Sequence, residues 1–209
     1  MGKKNKVVYD NLVERDKRII DLLESINVAT REQIQRVLFK GVHKNVPTRR
    51  LQILAENKLV KRNYYQLETH QNVYVYYPID SKKPAKRNIK HEIMVSEFIT
   101  NVMAICEVLE VYRSYKIGSI ISDAYIRYKD SENRIRHLVL EVQLSGKVYE
   151  GCVEKYKGFK NEILEHKQEW ETIPRLIVIS NLENNQEQLK GIKVKYDNLQ
   201  MNNLREIIF

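Results

Sequence analysis

The order of hydrophobic periodicities in the first part of the chain constrains its fold more than any other feature. Ile19, Leu23 and Ile26 recur at three- and four-residue spacing, which is typical of an amphipathic helix. Thr30 followed three residues later by Gln33 forms a capping-box pattern. The sequence therefore predicts one helix that ends near Ile26 and a second helix that begins at Thr30.

A third helix and a hairpin are predicted next. Pro47, a residue favoured in the first turn of a helix, precedes the apolar residues Leu51 and Leu54. Residues 59–65 and 73–77 are rich in aromatic and β-branched side chains and flank a polar turn, which predicts two paired strands. Three helices followed by a hairpin are typical of a winged helix-turn-helix, whose third helix enters the major groove of DNA.

Positive charge is concentrated in the same part of the chain. The net charge is +9; residues 1–90 hold 20 Lys/Arg against 9 Asp/Glu, whereas residues 91–209 hold 16 against 18. A basic block is typical of a nucleic-acid-binding module, because each neutralised phosphate releases condensed counterions. An anionic membrane surface and an ordinary solvated face are the alternatives that charge alone leaves open.

Several other classes of protein are disfavoured by what the sequence lacks. It has no apolar run near the roughly 20 residues of a membrane span, and residues 1–6 lack the apolar stretch of a signal peptide. Cys106 and Cys152 lie in stretches of apolar spacing, which favours buried thiols over a disulfide or a zinc site. Phosphate-binding and dinucleotide-binding glycine motifs are missing. These patterns predict a cytoplasmic protein without a membrane partner or an organic cofactor.

The polar face of the third helix carries side chains that can read base edges, since Arg suits guanine and Gln suits adenine. The candidate base-reading residues are Asn45, Thr48, Arg49, Arg50 and Gln52. The candidate phosphate contacts, at the helix ends, on the hairpin and just after it, are Lys44, Lys58, Lys61, Arg62, Lys82, Lys83, Lys86 and Arg87. Winged-helix proteins commonly bind two-fold sites, so the expected state is a homodimer on double-stranded DNA.

A second domain is predicted after a basic linker. Residues 81–90 are polar and predict an exposed linker between a winged-helix domain at 1–80 and an α/β domain at 91–209. The linker's lysines are either solubilising charges or an arm that follows DNA. The second domain has the order α-β-β-β-α-β, over residues 89–105, 108–117, 123–128, 135–144, 148–163 and 175–180. Residues 181–209 receive no predicted role.

One strand of this domain carries residues that could support chemistry. The two-residue period of residues 138–144 sends the apolar side chains to one face, so Glu141 and Gln143 share the other face. Asp123 opens the preceding strand, and pairing could bring its carboxylate beside Glu141. Two carboxylates and an amide oxygen suit Mg²⁺, which could activate water to hydrolyse a phosphodiester. The alternative is that Glu141 and Gln143 simply face solvent.

Two sets of residues resemble replication-relaxation proteins of plasmids, conjugative elements and phages. The first set resembles their winged helix and comprises residues 14–23, 29–34, 48–54 and 59–62. The second set resembles their carboxy-terminal region, itself similar to a restriction-endonuclease-like PD-(D/E)xK core, and comprises His91 and residues 122–125, 138–143 and 154–156. The resemblance covers roughly residues 12–160. It implies a two-domain α+β protein that binds DNA of a mobile element in replication, mobilisation or transcriptional control, with replication or transfer proteins as candidate partners.

The resemblance also assigns roles in the second domain. Asp123 and Glu141 would be metal ligands, but the catalytic lysine of the nuclease pattern is replaced by Gln143. An amide cannot supply the positive charge that stabilises the developing oxyanion. Lys155 or Lys147, on the next helix, could replace it, and Ser122 stands in place of the pattern's proline. The expected function is a DNA reader whose inactive nuclease-like domain serves dimerisation, DNA clamping or partner docking. A Mg²⁺-dependent DNA endonuclease is the alternative.

Overall fold

A computed structural model describes residues 12–68, 71–144, 156, 170, 172–180 and 193–209, and it divides into two compact units, Met1–Thr100 and Asn101–Phe209. Unit 1 contains, in chain order, α1 (Glu14–Ile26), β1 (Ala29–Thr30), α2 (Arg31–Leu38), α3 (Asn45–Glu56), β2 (Val60–Glu68) and β3 (Gln71–Pro78). Helix α4 (Ile89–Ile105) crosses the division. Unit 2 contains β4 (Glu107–Ile117), β5 (Ile120–Lys129), β6 (Ile135–Gln143), β7 (Arg175–Ser180), β8 (Val194–Asp197) and α5 (Leu204–Ile208). The chain is a mixed α+β protein.

The helices of unit 1 begin and pack as the local patterns predict. Ile19, Leu23 and Ile26 of α1 are fully buried. Thr30 and Gln33 form the predicted capping box: the Gln33 backbone N–H donates to Thr30 Oγ1 at 3.3 Å and the Thr30 backbone N–H donates to Gln33 Oε1 at 2.9 Å. This exchange satisfies two of the N–H groups that a helix start leaves without partners.

Strands β1, β3 and β2 form an antiparallel sheet in that order. Alternation along the hairpin separates its two faces. Tyr65, Val75 and Tyr77 are buried in a cluster with Val28 and Ile89. The opposite face carries side chains that reach solvent and are described below. The sheet therefore supplies one buried surface for the core of unit 1, and part of its other face, around Tyr64 and Tyr74, remains exposed.

The predicted linker is tied to the edge strand β2. Lys61 Nζ donates to the Ser81 carbonyl oxygen at 2.8 Å, and the Tyr65 hydroxyl donates to the Pro84 carbonyl oxygen at 2.8 Å. Neither bond could be predicted from the polar composition of the segment. The four basic side chains of the segment, Lys82, Lys83, Lys86 and Arg87, are exposed.

The two compact units meet within α4, after Thr100, whereas the sequence predicts a linker at residues 81–90. The first part of α4 packs on unit 1 through polar contacts. Ser96 Oγ donates to the Val28 carbonyl oxygen at 2.6 Å, and Gln33 Nε2 donates to the Ile93 carbonyl oxygen at 2.9 Å. Arg36 of α2 forms an ion pair with Glu97. The basic segment is therefore an internal part of unit 1.

Unit 2 is built on a sheet with the strand order β4-β5-β6-β7-β8. The first three strands are antiparallel, and β6, β7 and β8 are parallel. The predicted helix at 148–163 lies outside the described residues except for Tyr156, which is helical and fully buried. Strand β8 and helix α5 lie in the segment for which the sequence predicted nothing. Residues 138–142 are all buried, as expected for a strand covered on both faces.

Two further expectations concern cysteines and membranes. Cys106 is partly buried, and burial, assisted by the charge of Asp130, raises the pKa of its thiol to about 11. Such a thiol stays protonated and unreactive at neutral pH. Cys152 lies outside the described residues. In the part of the chain that the structure describes, every helix is too short or too polar to cross a membrane.

Candidate nucleic-acid interface and candidate carboxylate site

Helix α3 is oriented by an ion pair on its inner side. The guanidinium of Arg50 donates from Nε and Nη2 to both carboxylate oxygens of Asp16, which is fully buried in α1. This hydrogen bonding raises the pKa of Arg50. Arg50 faces inward because it lies between the buried residues Pro47 and Leu54 on one helical stripe.

Arg50 thus has a buried structural partner in this molecule, and its role in base reading stays a prediction. A signal for the pairing was present in the sequence. Asp16 lies on the apolar stripe of α1, three residues before Ile19. A carboxylate in such a position requires a cationic partner, because an unpaired buried charge is very costly.

The other four predicted base-reading residues lie on the outer side of α3 and are exposed; they are Asn45, Thr48, Arg49 and Gln52. Thr48 Oγ1 donates to the Lys44 carbonyl oxygen at 2.8 Å, and Gln52 Nε2 donates to Glu56 Oε1 at 2.8 Å. Among the described residues, Arg49 has neither a hydrogen-bonding nor an ionic partner. The side-chain donors of Arg49, like those of Asn45, are therefore available to a ligand.

Three of the predicted phosphate contacts share one depression of about 320 Å³ between the end of α3 and β2; they are Lys58, Lys61 and Arg62. The Arg62 guanidinium also lies 4.8 Å from the ring centre of Tyr74. Lys44 precedes α3 and is exposed. The remaining predicted contacts are exposed on the segment tied to β2; they are Lys82, Lys83, Lys86 and Arg87. The basic residues thus form groups at both ends of α3 and along the edge of the sheet.

Sequence reasoning missed an aromatic pair on the outer face of the hairpin. Tyr64 and Tyr74 are cross-strand partners, with ring centroids 5.2 Å apart, and are 56% and 48% exposed. The alternation of residues 62–66 would have placed Tyr64 on the same face as Arg62. Tyrosines combined with an arginine suit contacts to nucleic-acid bases and sugars.

In unit 2 the strand pairing brings Asp123 close to the backbone of β6. The β5–β6 register pairs Ala124 with Leu140, so Asp123 lies opposite Glu141. Asp123 Oδ2 accepts a hydrogen bond from the Val142 backbone N–H at 2.7 Å. Both carboxylates therefore lie at one end of the β5–β6 pair, as the sequence pattern suggested.

Glu141 does not face solvent, contrary to the alternative that the pattern left open. It is only 8% exposed and accepts a hydrogen bond from the hydroxyl of Tyr156. Tyr156 belongs to the core cluster that also contains Val139 and Val178 on the same side of the sheet. Gln143, on the same face, is half-exposed. Glu141 is thus a carboxylate with a protein partner inside the core.

The charges near this pair differ from the nuclease pattern. Lys155 and Lys147 lie outside the described residues. A cation that the sequence did not indicate, Arg113 of β4, donates from Nε to the Asp123 carbonyl oxygen at 3.2 Å. Its position depends on the β4–β5 register, which local periodicity does not reveal.

The residues around Asp123 and Glu141 could supply only part of the ligand set of a metal ion. Asp123, Glu141 and the Gln143 amide oxygen would hold Mg²⁺, which prefers six oxygen ligands in near-octahedral geometry. Across the described ranges, no group of three or more His, Cys, Asp or Glu side chains is arranged to hold a metal ion. Both carboxylates already accept bonds from protein donors. Asp123 and Glu141 would therefore contribute ligands to Mg²⁺ alongside these protein bonds.

Comparison with known proteins leaves the family open. No protein-family model matches the sequence, and no curated protein matches it. The chain is similar to a chain in the structure of an EndoMS–dsDNA2 complex, with a TM-score of 0.31 and 11% sequence identity. The similar region covers 66% of this chain and 65% of that chain, which is just under two thirds of its length. A likeness at this level assigns neither a fold nor a function.

Proposed function

We propose that this protein binds double-stranded DNA at a specific sequence, with unit 1 as a winged helix and α3 as its reading helix. The element order from α1 to β3 and the sheet order β1-β3-β2 support the winged-helix assignment. The observation that carries the proposal is Arg49, which is exposed on the outer face of α3 with its guanidinium available. An arginine in this position can form a bidentate contact with a guanine edge in the major groove.

The surrounding charge supports the same proposal. Lys58, Lys61 and Arg62 lie beyond the end of α3, where phosphate contacts would fix the helix in the groove. The exposed basic segment along β2 extends this surface. Asp16, by contrast, is fully buried and its charge is compensated by Arg50. The electrostatic field of this face is therefore positive, which suits a phosphate backbone.

The test of this proposal compares two variants on two duplexes. A site is first selected from a random duplex pool with the full chain, and a scrambled duplex serves as reference. Arg49→Ala should weaken binding to the selected site by about 1–3 kcal/mol and relax the preference at one base pair. Lys44→Ala should weaken binding to both duplexes equally and lower the salt slope by about one.

The control is Arg205→Ala, which removes an exposed arginine of unit 2 and should leave both affinities unchanged. An Arg49→Ala variant that loses as much affinity for the scrambled duplex as for the site would show that Arg49 contacts phosphate only. If the wild type binds both duplexes equally at every salt concentration, the proposal of sequence-specific binding is wrong.

In this proposal, unit 2 is a scaffold for dimerisation, DNA clamping or partner docking. The protein as a whole acts in replication, mobilisation or transcriptional control of a mobile element. The partnered state of Glu141 supports a structural use of the nuclease-like strands. A dimeric reader should protect two half-sites related by a two-fold axis. Sedimentation of the protein–DNA complex tests this: one protomer per selected site would remove the dimer from the proposal.

A Mg²⁺-dependent DNA endonuclease is the second candidate function, and the juxtaposition of Asp123 with the backbone of Glu141 and Val142 favours it. In such an enzyme Asp123 and Glu141 would hold the metal, and the metal would supply an activated water. Incubation of the selected duplex with protein and Mg²⁺, resolved by size, separates the two functions. Cleavage that disappears in Asp123→Ala would establish the enzyme; a shifted but intact duplex would support the scaffold.

A further inference from the structure

An open depression of about 490 Å³ lies beside the beginning of α3. Its lining includes Phe39, Val46 and Ile53, with Arg15 and Arg49 among the charged residues. Val46, the second residue of α3, is 44% exposed and lies beside these charges in the same depression. The sequence did not indicate Val46, because the base-reading prediction rests on polar side chains.

The arginines that line this depression differ in whether they already have a partner. The Arg15 guanidinium lies 5.2 Å from the ring centre of Phe39, so it stands over the apolar lining. Arg50 is bound to Asp16, whereas Arg49 has no partner among the described residues. The depression therefore combines an apolar surface with positive charge, and it suits a ligand that presents an apolar group on an anionic framework.

Double-stranded DNA presents such a group in its major groove. The C5 methyl of thymine is the apolar group displayed there, and it distinguishes T·A from the other base pairs. In helix-turn-helix proteins the residues at the start of the reading helix contact the base edges. Val46 occupies that position in α3, one helical turn before Arg49.

We infer that Val46 is a specificity-determining residue that contacts the C5 methyl of a thymine. The inference rests on the proposed function and adds an apolar contact to the polar contact of Arg49. It predicts that part of the sequence preference comes from methyl burial and is insensitive to salt, unlike the phosphate contacts.

The experiment replaces each thymine of the selected duplex, one at a time, by deoxyuridine, which lacks only the C5 methyl. At one position in each half-site the wild-type protein should bind the uracil duplex about fourfold more weakly, the effect of withdrawing one methyl from burial. Val46→Ala should bind the thymine and uracil duplexes equally at that position. Val46→Ile should keep the discrimination.

The matched control is Val13→Ala, which removes an exposed valine of unit 1 outside the depression and should keep the discrimination. Circular dichroism checks that each variant folds. Specific binding with no thymine that responds to uracil, or a response that persists in Val46→Ala, overturns the inference and leaves the proposed function standing. Failure to select any preferred duplex defeats the proposed function, and the inference with it.

Discussion

The polar residues on the outer face of α3 in unit 1 differ from those of the β5–β6 pair in unit 2 in their exposure and in their hydrogen-bond partners. Arg49 on α3 is exposed and has no partner among the described residues. Glu141 on β6 is buried and bonded to Tyr156, and Asp123 on β5 is bonded to the backbone of Val142. Both sets were candidates for function on sequence grounds, yet the fold already uses the second set.

The comparison shows that the partners of a polar residue, more than its type or spacing, indicate its role. A buried polar group must be hydrogen-bonded, so the fold itself requires its partner whether or not the group acts on a ligand. Arg49 and Arg50 show the same contrast within one helical turn, since only Arg50 is bound to a buried carboxylate. The two arginines therefore offer the sharpest test of the comparison.

Arg50→Ala is expected to have the largest effect on stability. The change would leave the Asp16 carboxylate buried without its partner, and breaking a buried pair in this way costs about 3–5 kcal/mol. Arg49→Ala should change the free energy of unfolding by less than about 0.5 kcal/mol, as for most exposed sites. Urea unfolding followed by circular dichroism measures both variants.

The double variant Asp16→Leu with Arg50→Met provides the control for this prediction. It removes both charges and keeps apolar volume, so it should recover most of the stability lost by Arg50→Ala. The recovered protein should still select the same DNA site. If Arg50→Ala is as stable as the wild type but loses DNA specificity, Arg50 is a base reader and the contrast with Arg49 fails.

Tyr156→Phe tests whether the hydrogen bond to Glu141 in unit 2 is structural. It removes the hydroxyl donor from Glu141, and the loss of a hydrogen bond to a charged group should lower the free energy of unfolding by about 1.5–3 kcal/mol. Tyr112→Phe, at an exposed tyrosine of the same unit, is the matched control and should have little effect. Chemical denaturation with and without Mg²⁺ provides the measurement.

Magnesium distinguishes a structural Glu141 from a metal ligand in this experiment. A structural carboxylate should leave both proteins insensitive to Mg²⁺. If Mg²⁺ stabilises the wild type, and stabilises Tyr156→Phe more strongly, then Glu141 holds a metal in competition with the tyrosine hydroxyl. That result would show a metal site at Glu141 and would favour the endonuclease candidate over the scaffold.

Local sequence patterns were sufficient to predict those elements that bury one of their own faces. The stripe of Ile19 and Leu23, the capping box at Thr30 and the span of α4 at 89–105 all follow from spacing within a few residues. Contacts between distant residues could not be predicted in this way. Arg50 and Asp16 are 34 positions apart, and the bonds that fix the basic segment join it to a different strand.

The candidate sites show the same limit. Alternation correctly placed Glu141 and Gln143 on one face of β6, because the period of two belongs to the strand itself. Whether that face is covered depends on Tyr156, which comes from another element. The exposure of Val46 was equally hidden, because an apolar residue at the start of a helix resembles a core residue until its neighbours are known.

Thr30→Ala is expected to have the smallest of these effects and tests whether the framework of unit 1 is separable from its outer face. The change removes the side-chain acceptor of the capping box, which should lower the free energy of unfolding by about 1 kcal/mol. Thr48→Ala, at an exposed threonine of α3, is the matched comparison for stability alone and should change the free energy of unfolding by less than about 0.5 kcal/mol, since its hydroxyl bonds only its own helix. Because Thr30 is buried away from the outer face of α3, the folded variant should bind the selected site with wild-type affinity. A fall in both stability and affinity for Thr30→Ala would mean that the capping box sets the position of α3, and that the framework and the reading face cannot be separated.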